Sequence, residues 1–162
     1  MLLYRIMPQP KSKLKRIAEK NYNEMLNLIE KTMGNQITFT NDLEKFGKYV
    51  LGNKFQGVFP SDQTKKLTIL KPYSIINLDK STQPGSHWIA LAYDPTEDSV
   101  TVYDSFGRKS KKIIPNIYSL YSGVIDTEYD AEQRIREDNC GQRCLAWLMV
   151  YEGLGKEAAK LI

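Results

Sequence analysis

Apolar residues recur at helical spacing over residues 12–33, where Leu14, Ile17, Met25, Leu28 and Ile29 stand among charged positions. A period near 3.6 with a polar opposite side predicts an amphipathic helix, and Gly34 supplies its stop. A second, shorter helix is predicted from Asn41 or Asp42, with Leu43, Phe46, Tyr49 and Val50 on its inner face. Residues 52–62 mix glycine, aromatic and proline positions and read as loop.

The pattern then changes. Tyr73 to Leu78, His87 to Tyr93 and Ser99 to Tyr103 are apolar and β-branched runs of strand length. Asp94-Pro95-Thr96-Glu97-Asp98, between the last two, is built of turn residues and predicts an antiparallel hairpin. Residues 109–121 read as helix or irregular basic segment, and Ser122 to Glu128 as a further short strand. Cys140 to Tyr151 reads as a helix ended by Gly153. Helix, then strands, then helix predicts an α+β fold with helices on a mainly antiparallel sheet. No repeat or linker divides the 162 residues. A single domain over 1–162 is expected, with 1–40 an N-terminal helical segment and 41–152 the core.

Composition excludes more than it assigns. Hydrophobic residues make up 41% and charged residues 26%, an ordinary globular balance. No apolar run reaches the roughly 18 residues that span a bilayer, so no membrane partner is expected. The segment Met1 to Ile6 is too short for a secretory signal. An intracellular, reducing location is expected, not secretion. The two cysteines, Cys140 and Cys144, stand one helical turn apart, a poor spacing for a framework disulfide, and both read as thiols. With one histidine and no paired Cys-x-x-Cys, no metal site is expected. The net charge is +4, concentrated in Lys11, Lys13, Lys15 and Arg16 and in Arg108, Lys109, Lys111 and Lys112. Such clusters are either solvated faces or contacts for DNA or another polyanion.

The chain's one histidine makes its chemistry easy to test. A cysteine–histidine hydrolase needs a thiolate, an imidazole and a group that holds the imidazole, so any such base is His87. Folding the hairpin about residues 95–96 sets Asp104 across from His87, or diagonal to it if the register is shifted by two. Val100, Val102 and Asp104 then share one face. The pair reads equally as an orienting carboxylate or as a hairpin ion pair with no catalytic part. Cys140 follows Asp138 and Asn139, both good capping residues, at a predicted helix start, where the macrodipole favours the thiolate. Gly141 after it admits a close backbone. A buried small residue is the other reading of Cys140, and Cys144, among apolar neighbours, reads as an inert core thiol. Gln133, seven positions before Cys140, is a side-chain amide able to donate to an oxyanion, although a lone glutamine carries little weight.

Taken in order, Gly85-Ser-His-Trp-Ile-Ala-Leu-Ala-Tyr93, Val102-Tyr-Asp-Ser-Phe-Gly107, Gln133 and Asn139-Cys-Gly-Gln-Arg-Cys144 resemble the adenain-like cysteine proteases. These are viral maturation enzymes that share a fold with SUMO-specific proteases. The resemblance runs from about Asn41 to Tyr151. It implies a papain-like fold with the nucleophile at the N-terminus of a central helix. It further implies Cys140 as nucleophile, His87 as base, Asp104 as orienter and Gln133 as oxyanion donor, with Trp88, Gly141 and Asn139 at the substrate. Cleavage after glycine in Gly-Gly or Gly-x-Gly-like sites, capsid-protein substrates, a virion and infected-cell location and a monomer follow as expectations. No cofactor is implied beyond stimulation by DNA. With no cysteine before Cys140, a disulfide-linked activator of the adenain kind finds no partner in that region. Removal of a ubiquitin-like modifier is the main alternative, and acyl transfer by the same triad a lesser one.

Overall fold

The computed structural model describes residues 11–36, 38–79, 87–128, 131–133 and 137–162. Residues 1–10 of the N-terminal segment, and Gly85 and Ser86 of the histidine motif, lie outside these. Five strands form one sheet: β1 (Phe55–Pro60), β2 (Tyr73–Asn77), β3 (Trp88–Asp94), β4 (Ser99–Tyr103) and β5 (Gly123–Asp126), in that spatial order. The three central strands are antiparallel, and the turn residues 94–98 account for the β3–β4 pair. Both outer strands run parallel to their neighbours, so the sheet is mixed rather than mainly antiparallel. The outer pairings are made by the segments between β1 and β2 and between β4 and β5. These are long enough to cross over, and neither carries a hairpin turn signal.

Strand β1 falls in the segment expected to be loop. Its Gly57 has φ 136°, a backbone conformation that L side chains rarely adopt, at a register shift between Phe55 and Gly57. Pro60 closes it on the sheet edge. A bulged edge strand holding Gly and Pro carries the composition of a loop, which is why periodicity misses it.

The helices are α1 (Lys13–Met33), α2 (Thr40–Leu51), the short α3 (Ser110–Ile113), α4 (Cys140–Leu154) and α5 (Lys156–Ala159). Ser12 caps α1 by accepting from the Lys15 N–H at 3.1 Å. The buried face of α1 is Ala18, Tyr22, Leu26 and Ile29, whereas Leu14, Ile17 and Leu28 are exposed. The expected stripe was rotated because Ala18 and the polar-tipped Tyr22 do not stand out as apolar. In α2, Leu43 and Leu51 are buried and Tyr49, expected inside, is exposed.

The sheet is covered on both faces. One face packs Ile75, Trp88, Ala90, Ala92 and Tyr103 against α1, α2, α4 and α5. The other packs Ile76, Ile89, Leu91, Val100 and Val102 against Leu67, Ile114, Ile117 and Tyr121. Burial on both faces explains why β3 and β4 read as apolar runs instead of alternating. Helix α4 is buried on every side from Cys140 to Leu148, the signature of a central helix. Trp147 in its middle donates from Nε1 to the Ala159 carbonyl at 2.9 Å and holds α5. Among the described residues, no helix is long and apolar enough to cross a membrane.

Candidate active site

The N-terminal end of β3, the C-terminal end of β4 and the first turn of α4 meet at one corner of the sheet. His87 immediately precedes β3, and its carbonyl accepts from the Leu78 N–H at 3.0 Å, which continues the β2–β3 ladder and fixes its backbone. The β3–β4 register pairs Ala90 with Tyr103 and Asp94 with Ser99. Extending it places Phe106 opposite His87 and leaves Asp104 diagonal, the two-residue shift allowed for above. Phe106 stacks on the imidazole with centroids 4.6 Å apart. Asp104 reaches the ring from the side, with Nε2 and Oδ1 at 2.6 Å.

The Asp104 carboxylate is held at both oxygens. Oδ1 also accepts from the Phe106 N–H at 3.1 Å, and Oδ2 accepts from the Arg108 Nε at 2.7 Å and its N–H at 3.3 Å. Burial alone would raise its pKa. The hydrogen bonds to His87 and Arg108 outweigh that and bring Asp104 down to about 2. Burial likewise pulls His87 down, and the bonds to Asp104 and to the Cys140 thiol more than reverse it, leaving the imidazole raised above 6.5. With Nε2 committed to Asp104, Nδ1 is the ring nitrogen left for the thiol.

Cys140 is the first residue of α4, buried and close enough to this ring for its thiol to raise the imidazole. Cys144, one turn on, is fully enclosed and its pKa is pushed far up by burial. The two thiols therefore differ as expected, one in contact with an imidazole and the other sealed in the core. Asn139 precedes α4 without capping it. Its Nδ2 donates to Glu30 Oε1 at 2.8 Å, and its Oδ1 accepts from Arg143 Nε at 3.0 Å. Both ends of the side-chain amide are thus committed inside the protein.

Gly141 and Trp88 are enclosed as well. Gly141 is glycine because of its own neighbours: a Cβ there would lie 2.3 Å from Thr38 Oγ1 and 2.9 Å from Leu43 Cδ2. That close approach is made by the segment entering α2. Trp88, expected at the substrate, is buried in the core under α4. Gln133 is buried too. Its Oε1 accepts from Ser105 Oγ at 2.6 Å, its Nε2 donates to the Glu137 carbonyl, and its N–H bonds the Ser105 carbonyl at 3.0 Å. Ser105 follows Asp104, so the Gln133 loop is tied to the histidine side of the site.

Sequence reading missed Phe106, Arg108, Glu30 and Arg143. Phe106 and Arg108 were within reach, since Arg108 stands four residues after Asp104 in a turn whose carboxylate needs partners. It was counted instead with the surface basic cluster. Arg143, on the buried helix, reaches Tyr22 by Nη1 at 3.1 Å and Glu137 by Nη2 at 2.9 Å, besides Asn139. Glu30 and Tyr22 lie more than a hundred residues from these partners, and no local signal links them. A groove of about 1060 Å³ between α1 and α2 is lined by residues that include Leu28, Met33, Phe46 and Met149, and neither Cys140 nor His87 is among them. Chemistry, not volume, locates the site.

A buried carboxylate, an imidazole and a thiol at a helix N-terminus, in contact in that order, have the groups that a cysteine–histidine hydrolase needs. The model of the adenovirus endoprotease family matches residues 53–149, well over half of the chain, so the protein belongs to that family of viral cysteine peptidases. The match contains His87, Asp104, Gln133 and Cys140 and excludes α1 and α2. No curated protein matches the chain.

Proposed function

We propose that the chain acts as a single-domain cysteine endopeptidase in which Cys140 attacks the scissile carbonyl. His87 holds the thiol proton and delivers it to the leaving amine, and Asp104 orients the ring through Nε2. The observation that carries this is the imidazole bridging Asp104 on one side and Cys140 on the other. A raised His87 next to a thiol favours the thiolate–imidazolium pair near neutral pH. The Cys140 N–H, in the first turn of α4, has no intrahelical partner and would face the oxyanion. Gln133 spends one of its two amide hydrogens on Glu137, and the second is the donor assigned to the oxyanion. Water then attacks the thioester with His87 as base and releases the acid.

Membership of the family supports protein substrates, and the resemblance suggests cuts after glycine in Gly-Gly or Gly-x-Gly-like sites, with capsid precursors processed during virion maturation as the leading case. DNA stimulation draws on fewer cations than the sequence suggests. Lys11 pairs with Glu19, Lys15 with Glu128 and Arg108 with Asp104. Lys111 and Lys112 remain exposed. The test is incubation of the protein and of Cys140→Ala with a mixed protein digest, followed by identification of new N-termini. Cuts by wild type alone, with glycine on the acyl side, support the reading. Activity confined to a ubiquitin-like fusion would replace capsid processing with modifier removal. Cuts that persist in Cys140→Ala would overturn the assignment.

A further inference from the structure

Residues 139–143 lead into and open α4, and of the five only Cys140 turns to the histidine. Asn139 donates to Glu30, and Gly141 lies against Thr38 and Leu43. Gln142, fully buried, donates from Nε2 to the carbonyls of Gly34 and Gln36, both at 2.9 Å. Arg143 reaches Tyr22, whose hydroxyl is 2.7 Å from that of Tyr103 on β4. Every one of these partners on the N-terminal side falls within residues 22–43, in or just after α1 or at the start of α2. That stretch lies outside the region that defines the family.

We propose that α1 is a positioning device for the nucleophile, with Glu30 as its decisive residue. Glu30 fixes the amide of the residue directly before Cys140. That amide orients Arg143, and Arg143 holds Glu137, whose carbonyl in turn takes the Gln133 amide. One relay therefore sets both the thiol and the proposed oxyanion donor. The buried guanidinium gains its full return only when all three acceptors are in place, so the relay favours one arrangement over partial ones. The helix acts through Asn139 and Arg143 and touches no reacting atom.

The inference rests on Cys140 being the nucleophile, and its test keeps the two apart. Alkylation of Cys140 by iodoacetamide in the full chain is followed by intact mass at pH 6, beside the thermal midpoint. Glu30→Ala keeps a good helix former and costs one acceptor of the buried Asn139 amide, so the fold should hold, with the midpoint falling by only a few degrees, about 2–5 °C. The alkylation rate should fall about tenfold as the thiol loses its alignment. Glu30→Gln, which keeps an acceptor for Asn139, should recover most of the rate. An unchanged rate in Glu30→Ala, or an equal loss in Glu30→Gln that follows the thermal midpoint, overturns the proposal. His87→Ala runs alongside. If it leaves alkylation at pH 6 unchanged, the nucleophile assignment itself falls, whereas a slowed His87→Ala with a normal Glu30→Ala removes only the role of α1.

Discussion

The two halves of the site are built in opposite ways. The histidine half is local: His87, Asp104, Phe106 and Arg108 come from one hairpin and the turn that leaves it. The cysteine half is distant: Cys140 is set by a helix whose opening turn is bonded to residues 22–43. A hairpin delivers its carboxylate by register alone, because strand geometry fixes which residues are neighbours. A helix N-terminus has no such template and takes its aim from packing and buried polar contacts. Damage to the first half should therefore alter protonation, and damage to the second should alter alignment.

The largest expected effect separates the two cysteines of α4. Cys140→Ala should abolish turnover with the fold intact. Cys144→Ser, which puts a hydroxyl into a fully enclosed apolar position, should lose about 1–3 kcal/mol of stability while the folded fraction still turns over. Equal losses of activity in denaturant-calibrated assays would break the distinction. Next comes the carboxylate. Asp104→Asn should lower kcat about 100-fold or more, because the amide no longer favours the imidazolium.

Asp104 also links the histidine half to stability. Its folded pKa of about 2 lies below the ordinary 3.8, so its contribution is complete above about pH 4 and is lost as pH falls towards 2. Wild type should lose about 2 kcal/mol more than Asp104→Asn across that window, read from urea midpoints. A parallel acid profile for the two proteins would mean that the carboxylate is not held as described.

The cysteine half is probed by Gly141→Ala. The added methyl meets Thr38 and Leu43 well inside contact distance, so about 1–3 kcal/mol of stability should go, with a fall in turnover. A neutral result would show that the α2 entry segment yields freely and sets nothing. The smallest effect belongs to Arg108→Ala. The side chain is 43% exposed, so stability should barely change. Removing a cation that shares the Asp104 carboxylate should raise His87 further and move the alkaline limb of Cys140 alkylation upward. A limb that stays in place would reduce Arg108 to a surface ion pair.

The same contrast decides what the sequence could disclose. His87, Asp104 and the hairpin were legible because turn residues and strand length fix their mutual position, and the two-residue register shift stayed within the expected range. Cys140 at the head of α4 was legible from the apolar run behind it. Asn139 was misjudged because Asn before a helix usually caps it, and here Glu30 and Arg143 compete for the side chain. The packing of Gly141 against Thr38 and Leu43, and of Trp88 into the core, was not legible either. Each of these gaps has one source: a contact with a partner far along the chain, invisible to spacing. Strand β1 and the outward turn of Tyr49 were missed for the related reason that edges and faces depend on what covers them.

The most direct test of the central claim uses the chain's one histidine, whose imidazole signals in an NMR titration can belong to no other residue. His87 in the wild type should titrate above its ordinary 6.5, and in Cys140→Ala its pKa should fall, because the thiol's hydrogen bond and charge both raise it. A His87 that titrates at or below 6.5, unchanged by removal of Cys140, would mean that no thiolate–imidazolium pair forms and would contradict the account.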